Sequence, residues 1–298
     1  MNQFNYHRKI IIIVIQLAIF AMVGLAPAET ITVVSEREYD FYKIEDGINA
    51  AKDGDVVLVA PGEYVVTSAI TFGGKAIAVK SKAGPQQTVI RPHQDYDSNI
   101  FIFDKGEDSN TVLEGFTIKD SNERGVSCVN SSPRIENCVF TDNWESGIQC
   151  LNASPIINNS IITGSKGDSE INCRENSSPI ITNCIIFSNS CDGSGGGGIY
   201  CNDSSPIIID CTITKNTAPG NEGGGILCLN ASPTIINCTI SNNIANHGAG
   251  MRNIENSNPT FINCTFSGNL AEYDVSSISN QDSNPKLINC TISNNSTD

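Results

Sequence analysis

From Gly125 onward the chain alternates short apolar runs with single Asn or Asp residues, and the alternation repeats. A phrase of the form Ser/Ala-Ser/Asn-Pro returns at Pro133, Pro155, Pro179, Pro206, Pro233, Pro259 and Pro285, at intervals of 22, 24, 27, 27, 26 and 26 residues. Two positions after each proline the residue is always apolar: Ile135, Ile157, Ile181, Ile208, Ile235, Phe261 and Leu287. Seven after, it is Phe140, Ile162, Ile186, Ile213, Ile240, Phe266 and Ile292. Two cysteine columns accompany them. One lies five after the proline (Cys138, Cys184, Cys211, Cys238, Cys264 and Cys290, with Ser160 as the exception), the other five or six before it (Cys128, Cys150, Cys173, Cys201 and Cys228).

Polar columns are as regular. Three before the proline stands Asn or Asp (Asn130 through Asp282), and four after it again (Asn137 through Asn289). Ten after it is Asn143, Asn189, Asn216, Asn243, Asn269 or Asn295, with Ser165 standing in once. Asn and Asp tolerate left-handed backbone and bond to nearby main chain, so three such columns predict three sharp corners per repeat. Between corners lie runs such as Gly-Ile-Tyr-Cys, Pro-Ile-Ile-Ile and Cys-Thr-Ile-Thr, too short for helices and patterned as strands. A chain that turns three corners and repeats must stack coil on coil. Each strand then pairs in parallel with its equivalent about 4.8 Å away. The prediction is an all-β, right-handed parallel β-helix of about ten coils, three short strands per coil. Inward Ile, Phe, Leu and Cys form its core, and stacked asparagine amides bond along the axis in an asparagine ladder.

Residues 29–124 read as the cap and irregular first coils of the same solenoid, and 125–298 as seven regular coils. Phe41–Ala51 places Ile44, Ile48 and Ala51 on one helical face, an amphipathic helix suited to covering the first coil. Gly54-Asp55 ends it, Val56–Ala60 reads as a buried strand, and Pro61-Gly62 turns the chain.

Gly54-Asp-Val-Val-Leu-Val-Ala-Pro-Gly-Glu-Tyr64 resembles the N-terminal coil of right-handed parallel β-helix proteins of the pectin-lyase-like superfamily. Gly-Gly-Gly-Ile at 196–199 and 223–226, with Phe140-Thr-Asp-Asn143 and Phe266-Ser-Gly-Asn269, also resembles the repeats of polymorphic outer-membrane proteins. The resemblance spans residues 30–298 and implies the fold. It also implies that an enzyme of this fold would work in a groove over the sheet made by the Gly-Ile-x-Cys strands.

Charge narrows the partners. Eighteen Lys and Arg face 32 Asp and Glu, a formal net charge of −14, with no basic run. Such a chain repels nucleic acid and anionic lipid. Arg8 and Lys9 precede an apolar run from Ile10 to Leu25 that ends at Ala26-Pro27-Ala28. This describes a secretory signal over residues 1–28, with an anchoring helix as the alternative. The expected location is secreted, periplasmic or cell-surface, with no membrane span after cleavage.

Candidate chemistry is sparse. The outward column of the Gly-Ile-x-Cys strands is Ser127, Gln149, Asn172, Tyr200, Leu227, Arg252 and Ser279. It holds no carboxylate, whereas glycoside hydrolysis needs two converging ones. The resemblance implies Asn-Thr-Asp, Asp-Asp, Gly-His-Gly and Arg-Ile-Lys motifs for a galacturonan hydrolase. Only Asn246-His247-Gly248 comes within one letter of any of them. His247 and His93 read as solvated loop residues, Asp203 and Asp210 as structural members of the corner columns. No catalytic residue, metal ligand or cofactor is assigned. Stacked inward thiols, with Cβ atoms about 4.8 Å apart against roughly 3.8 Å in a disulfide, read as unbridged. Cys191, outside both columns and in a loop, is expected to be the reactive one. Longer loops (Ser190–Gly197, Thr217–Gly224, Ile244–Gly250, Leu270–Ser276) leave one corner and carry acidic residues.

The reading is a surface-binding, adhesin-like protein without evident catalysis, with a polysaccharide or cell-surface component as partner. Its candidate ligand strip is Tyr200, Leu227 and Arg252, walled by the loops with Glu222 and Asp274. The alternatives are a polysaccharide lyase or glycoside hydrolase, or a structural passenger segment of a larger surface protein. The last coil carries no cap, so end-to-end self-association is also expected.

Overall fold

The structure is a computed structural model that describes residues 28–34, 43–193, 195–273 and 277–297. The proposed signal, apart from Ala28, and Phe41 at the start of the expected helix lie outside the described residues.

The described chain winds as a right-handed parallel β-solenoid of about ten turns. Eleven strands, the last seven of which follow the repeat prolines, form one sheet, from Thr30–Val33 to Lys286–Ile288; we call it the proline sheet. Ten strands from Gly62–Val66 to Thr291–Ser293 form the threonine sheet. Nine, from Ile70–Thr71 to Ile278–Asn280, form the glycine sheet. Register follows the columns of the repeat. Ile181 pairs with Ile208, Ile208 with Ile235 and Ile235 with Phe261. Cys150, Cys173, Cys201 and Cys228 pair in the same way. These side chains point inward and are fully buried. Each buried Ile or Phe contributes about 1.5–3 kcal/mol, so the core's energy is spread evenly along the axis.

Helix α1 (Ile44–Ala50) packs Ile44, Gly47 and Ile48 onto the first coil. Gly47 costs helix propensity, but a Cβ there would lie 2.6 Å from Val33 Cγ2. Lys75 Nζ donates to the carbonyls of Ile48 (2.7 Å), Asn49 (3.0 Å) and Ala51 (2.9 Å), satisfying the helix C-terminus.

Two of the three Asx columns are left-handed, as expected. All seven residues three before proline, and all seven four after it, have φ between 47° and 62°. The third differs by one residue. The left-handed position is nine after proline, occupied by Asp142, Gly164, Ser188, Lys215, Asn242, Gly268 and Asn294. The asparagine that follows turns inward and is buried. Asn189 Nδ2 donates to Asn216 Oδ1 (2.9 Å), Asn216 to Asn243 (3.1 Å) and Asn243 to Asn269 (3.0 Å). Each Oδ1 also accepts the backbone N–H of the preceding coil's asparagine.

The cysteine column five after proline works at its corner in the same way. Cys211 Sγ accepts from Cys184 N (3.4 Å) and donates to the Ile209 carbonyl (3.2 Å). Ser160, the exception, does both jobs with oxygen: it accepts from Cys138 N (3.2 Å) and donates to the Asn158 carbonyl (3.0 Å). Burial pushes the Cys138 thiol up to about 12, so it stays a protonated donor at neutral pH. These thiols are therefore hydrogen-bonding corner residues as well as apolar filler.

A fourth sheet was not foreseen. Thr217–Glu222, Ile244–His247, Leu270–Ala271 and Ser296–Thr297 pair in parallel, within and just beyond segments that read as loops. The later coils are 26 or 27 residues long, so their extra segments are close enough in length to stack. Ala218, Ala245 and Ala271 form its buried inner column.

One coil breaks the pattern. The column Gly125, Gly147, Gly198, Gly225 and Gly250 is glycine because the asparagine stack lies behind it; a Cβ on Gly225 would stand 3.0 Å from Asn243 Nδ2. Where Ser165 replaces the asparagine, Glu170 replaces the glycine, and its carboxyl fills the space beside Gly147. Glu170 is fully buried, and among the described residues neither carboxyl oxygen has a hydrogen-bond partner. Burial drives its pKa well above the usual carboxylate value, opposed only in part by the nearby Gly147 N–H.

Two outcomes follow from this architecture. Cys211→Ser keeps both corner bonds and retains most of the stability in a urea melt. Cys211→Ala leaves Cys184 N–H buried and unmet, at about 1–3 kcal/mol. Equal midpoints for the two variants would contradict the corner role. Glu170 is neutral when folded and ionises when unfolded above pH about 4.5. Its contribution is therefore complete at acid pH and is lost as pH rises from there toward the folded pKa. Glu170→Gln should gain stability relative to the parent by about 1.4 kcal/mol per pH unit across that window. Parallel pH profiles would refute a neutral buried carboxyl.

Candidate functional site

The outward column of the glycine sheet is assembled in the predicted order, with Ser127, Gln149, Asn172, Tyr200, Leu227, Arg252 and Ser279 paired coil to coil. It faces away from the core but is covered. Tyr200, Leu227 and Arg252 retain only 7%, 5% and 8% of their accessible surface. On the proline sheet, Ile180 and Ile207 in an equivalent outward column keep 39% and 40%. The difference is that the glycine-rich segments fold onto this sheet. A Cβ on Gly196 would lie 2.8 Å from Leu227 N, and one on Gly223, at φ 68°, would run into the Ile226 carbonyl at 2.5 Å. Glycine is required here because backbone lies on backbone.

Charges on this floor are matched in place. Arg174 reaches Asp168 at 3.2 Å, donates from Nε to Asn172 Oδ1 (2.9 Å) and lies 5.3 Å from the Tyr200 ring centroid. Asn172 Nδ2 donates to Asp168 Oδ2 (2.6 Å). Burial raises the Tyr200 phenol, so it is un-ionised at neutral pH. Two coils on, Arg252 lies 3.4 Å from Glu222 and donates to Ser279 Oγ and to Gln281 Oε1 (2.8 Å). The structure thus brings Arg252 and Glu222 together and keeps Tyr200 with a different arginine. Asp274 lies outside the described residues.

Neither histidine joins the floor. His247 ends a strand of the fourth sheet, its ring 6.0 Å from that of Tyr273, and His93 sits 3.4 Å from Asp95 in a separate shallow pocket. Asp203 and Asp210 accept the side-chain amides of Asn230 (2.6 Å) and Asn237 (3.1 Å), the structural part expected of them. Among the described residues no three His, Cys, Asp or Glu side chains are placed to hold a metal ion. Cys191 departs from expectation. It is fully buried, because it extends the alanine column of the fourth sheet, with its N–H donating to the Thr217 carbonyl (2.9 Å). Burial raises its thiol pKa, which opposes reactivity.

A second concavity escaped the sequence reading. Trp144, the sole tryptophan, is 58% exposed at the third corner. With Arg124, Glu145, Gly167, Asp168 and Gly193 it lines a cavity of about 340 Å³. The only signal available was its singularity: one large aromatic at a corner where the following coils carry glycine.

Among the described residues no helix is long and apolar enough to cross a membrane. A family described as right handed beta helix region matches residues 40–186, 96–240 and 171–298. A search of curated proteins by sequence found no match. Among solved structures, the fold is similar to that of the pectate lyase Pel9A, at 16% identity and TM-score 0.62 over 87% of this chain and 79% of the other. Pectin methylesterase from carrot aligns at 12% identity and TM-score 0.58, over 87% and 89% of the two chains. The alginate lyase AlyGC aligns at 13% identity and TM-score 0.51, over 91% of this chain and 40% of the other.

The burial of Cys191 sets an order of thiol reactivity. In native protein a maleimide should modify half-buried Cys290 first and Cys191 only after unfolding. Mass-mapped labelling that finds the two at equal rates in native protein would contradict the placement of Cys191 in the alanine column.

Proposed function

The chain belongs to the right-handed β-helix family, and on that premise we propose that it is a secreted or cell-surface binding protein whose partner is a glycan or another surface component. The observation that carries this reading is the state of the glycine-sheet floor. Two of its arginines are each held by a carboxylate and an amide of the same chain, Arg174 by Asp168 and Asn172, Arg252 by Glu222 and Gln281. A general base or a charge-stabilising group must be able to reach substrate, and these groups are spent on one another. Ligand recognition in this reading falls to the loop flank around Glu222 and Asp274 and to the edges of the Tyr200–Leu227–Arg252 strip, where a rigid scaffold carries variable segments.

The second reading is a polysaccharide lyase or glycoside hydrolase. It is favoured by the likeness to a pectate lyase and by a buried arginine, Arg252, on the sheet where such an enzyme would work. The two readings part in one experiment. The mature protein is applied to a glycan array and incubated with pectate, alginate and glycosaminoglycans, with unsaturated uronate and reducing ends measured. Binding without product is the expected result. Product formation that Arg252→Ala abolishes would replace the binding reading with the enzymatic one.

A further inference from the structure

The cavity beside Trp144 has a construction that the floor of the glycine sheet lacks: it is open, and it is open because two successive coils have no side chain there. Trp144, Gly167 and Gly193 occupy the same place on consecutive turns. Gly167 N donates to the Trp144 carbonyl (2.7 Å) and Gly193 N to the Gly167 carbonyl (3.0 Å). A Cβ on Gly167 would stand 2.8 Å from the Trp144 carbonyl and 3.3 Å from the indole Nε1, so the indole's pyrrole edge rests over that glycine. Gly193 is exposed, and a Cβ there would meet only the Gly167 carbonyl, at 3.0 Å. The two glycines make a bare shelf, and the indole stands at one end of it.

The polar groups around the shelf are balanced. Arg124 pairs with Glu145 and lies 3.8 Å from Glu123, and Asp168 pairs with Arg174 at 3.2 Å. Both flanking arginines therefore already have carboxylate partners, and a polyanionic ligand would meet Glu123, Glu145 and Asp168 on a chain of net charge −14. What remains on offer is an aromatic wall, backbone carbonyl edges, carboxylates that can accept a further hydrogen bond from a hydroxyl, and an arginine that can donate one to it. A volume of about 340 Å³ falls at the small end of ligand clefts, roughly 300–1,000 Å³.

We infer that Trp144, with the Gly167–Gly193 shelf and the Arg124, Glu145 and Asp168 side chains, forms a seat for one pyranose ring of a neutral oligosaccharide. A pyranose presents a face of C–H groups that packs on an aromatic ring and an equator of hydroxyls that reaches polar groups, the two surfaces joined in this cavity. The inference rests on the binding reading above and gives it an address different from the Tyr200–Arg252 strip.

Because Trp144 is the sole tryptophan, its fluorescence reports the seat directly. The full mature protein is titrated with cello-, xylo-, manno- and galacto-hexaose, and with oligogalacturonate and chitosan oligomers as charged counterparts. At least one neutral series should shift the emission saturably. By calorimetry, Trp144→Ala and Gly193→Leu should each weaken that ligand at least tenfold while β circular dichroism is unchanged. Gly193→Leu fills the shelf from an exposed position and leaves the indole in place. The inference is overturned if no neutral series moves the emission, if the charged oligomers bind more tightly, or if both variants bind like the parent. Array binding that survives both variants would leave the binding reading standing and remove only this seat.

Discussion

The structure depends on how a chain that turns every few residues satisfies the backbone at its corners. Strands hydrogen-bond along the axis, but a corner interrupts the pairing and leaves an N–H inside a dry coil, which costs about 1–3 kcal/mol if unmet. This chain meets those groups with a side chain from the neighbouring coil. Serine does so before the proline, as when Ser177 Oγ accepts from Ala153 N (3.0 Å) and Ser204 Oγ from Ser177 N (3.0 Å). A thiol does so after it, and an asparagine amide at the third corner. Many of these residues also donate to a carbonyl, Ser177 to Arg174, Cys211 to Ile209 and Asn216 to Ile186, so neighbouring coils are bonded by side chains as well as by sheet. Ser160 in the thiol column shows that the requirement is for a small donor-acceptor, not for sulfur.

The same constraint explains where the glycines fall. An inward amide at the third corner leaves no room for a side chain on the adjacent strand, so Gly198, Gly225 and Gly250 follow from Asn216, Asn243 and Asn269. Ser165 and Glu170 test the rule by breaking it together: shorten the amide and a longer side chain moves in from the other column. The exchange exposes neither group to solvent and leaves a carboxyl without a partner in the core.

The core and the corners were legible because both are periodic and chemically narrow. Ile181, Ile208 and Ile235 read as one inward column, and Asn137 to Asn289 as one left-handed corner, from spacing alone. The third corner was misplaced by one residue because its left-handed position is held by Asp, Gly, Ser, Lys and Asn in turn, and so shows no column. The outward direction of Tyr200, Leu227 and Arg252 followed from alternation. Their burial did not, because it depends on the path of the glycine-rich segments, and loop paths are set by tertiary contacts rather than by period. The fourth sheet was hidden for a related reason. Two- to six-residue segments around Ala218, Ala245 and Ala271 carry little pattern of their own and become strands only when stacked.

Trp144 was missed because it belongs to no column, and that is also why a cavity exists beside it. The solenoid buries its inward columns, in which each side chain is covered by its equivalents above and below, and Trp144 stands outside them. The coils from Pro133 to Pro179 are the short ones, at 22 and 24 residues, and precede the strands of the fourth sheet. There the third corner carries a single indole followed by Gly167; the next coil, of 27 residues, adds Gly193 before its glycine-rich segment folds over the glycine sheet, as the segments of the later coils do. The longer segments close the floor around Leu227 and Arg252, and their absence leaves Trp144 uncovered. The cavity beside Trp144 therefore lies where the short coils give way to the long ones.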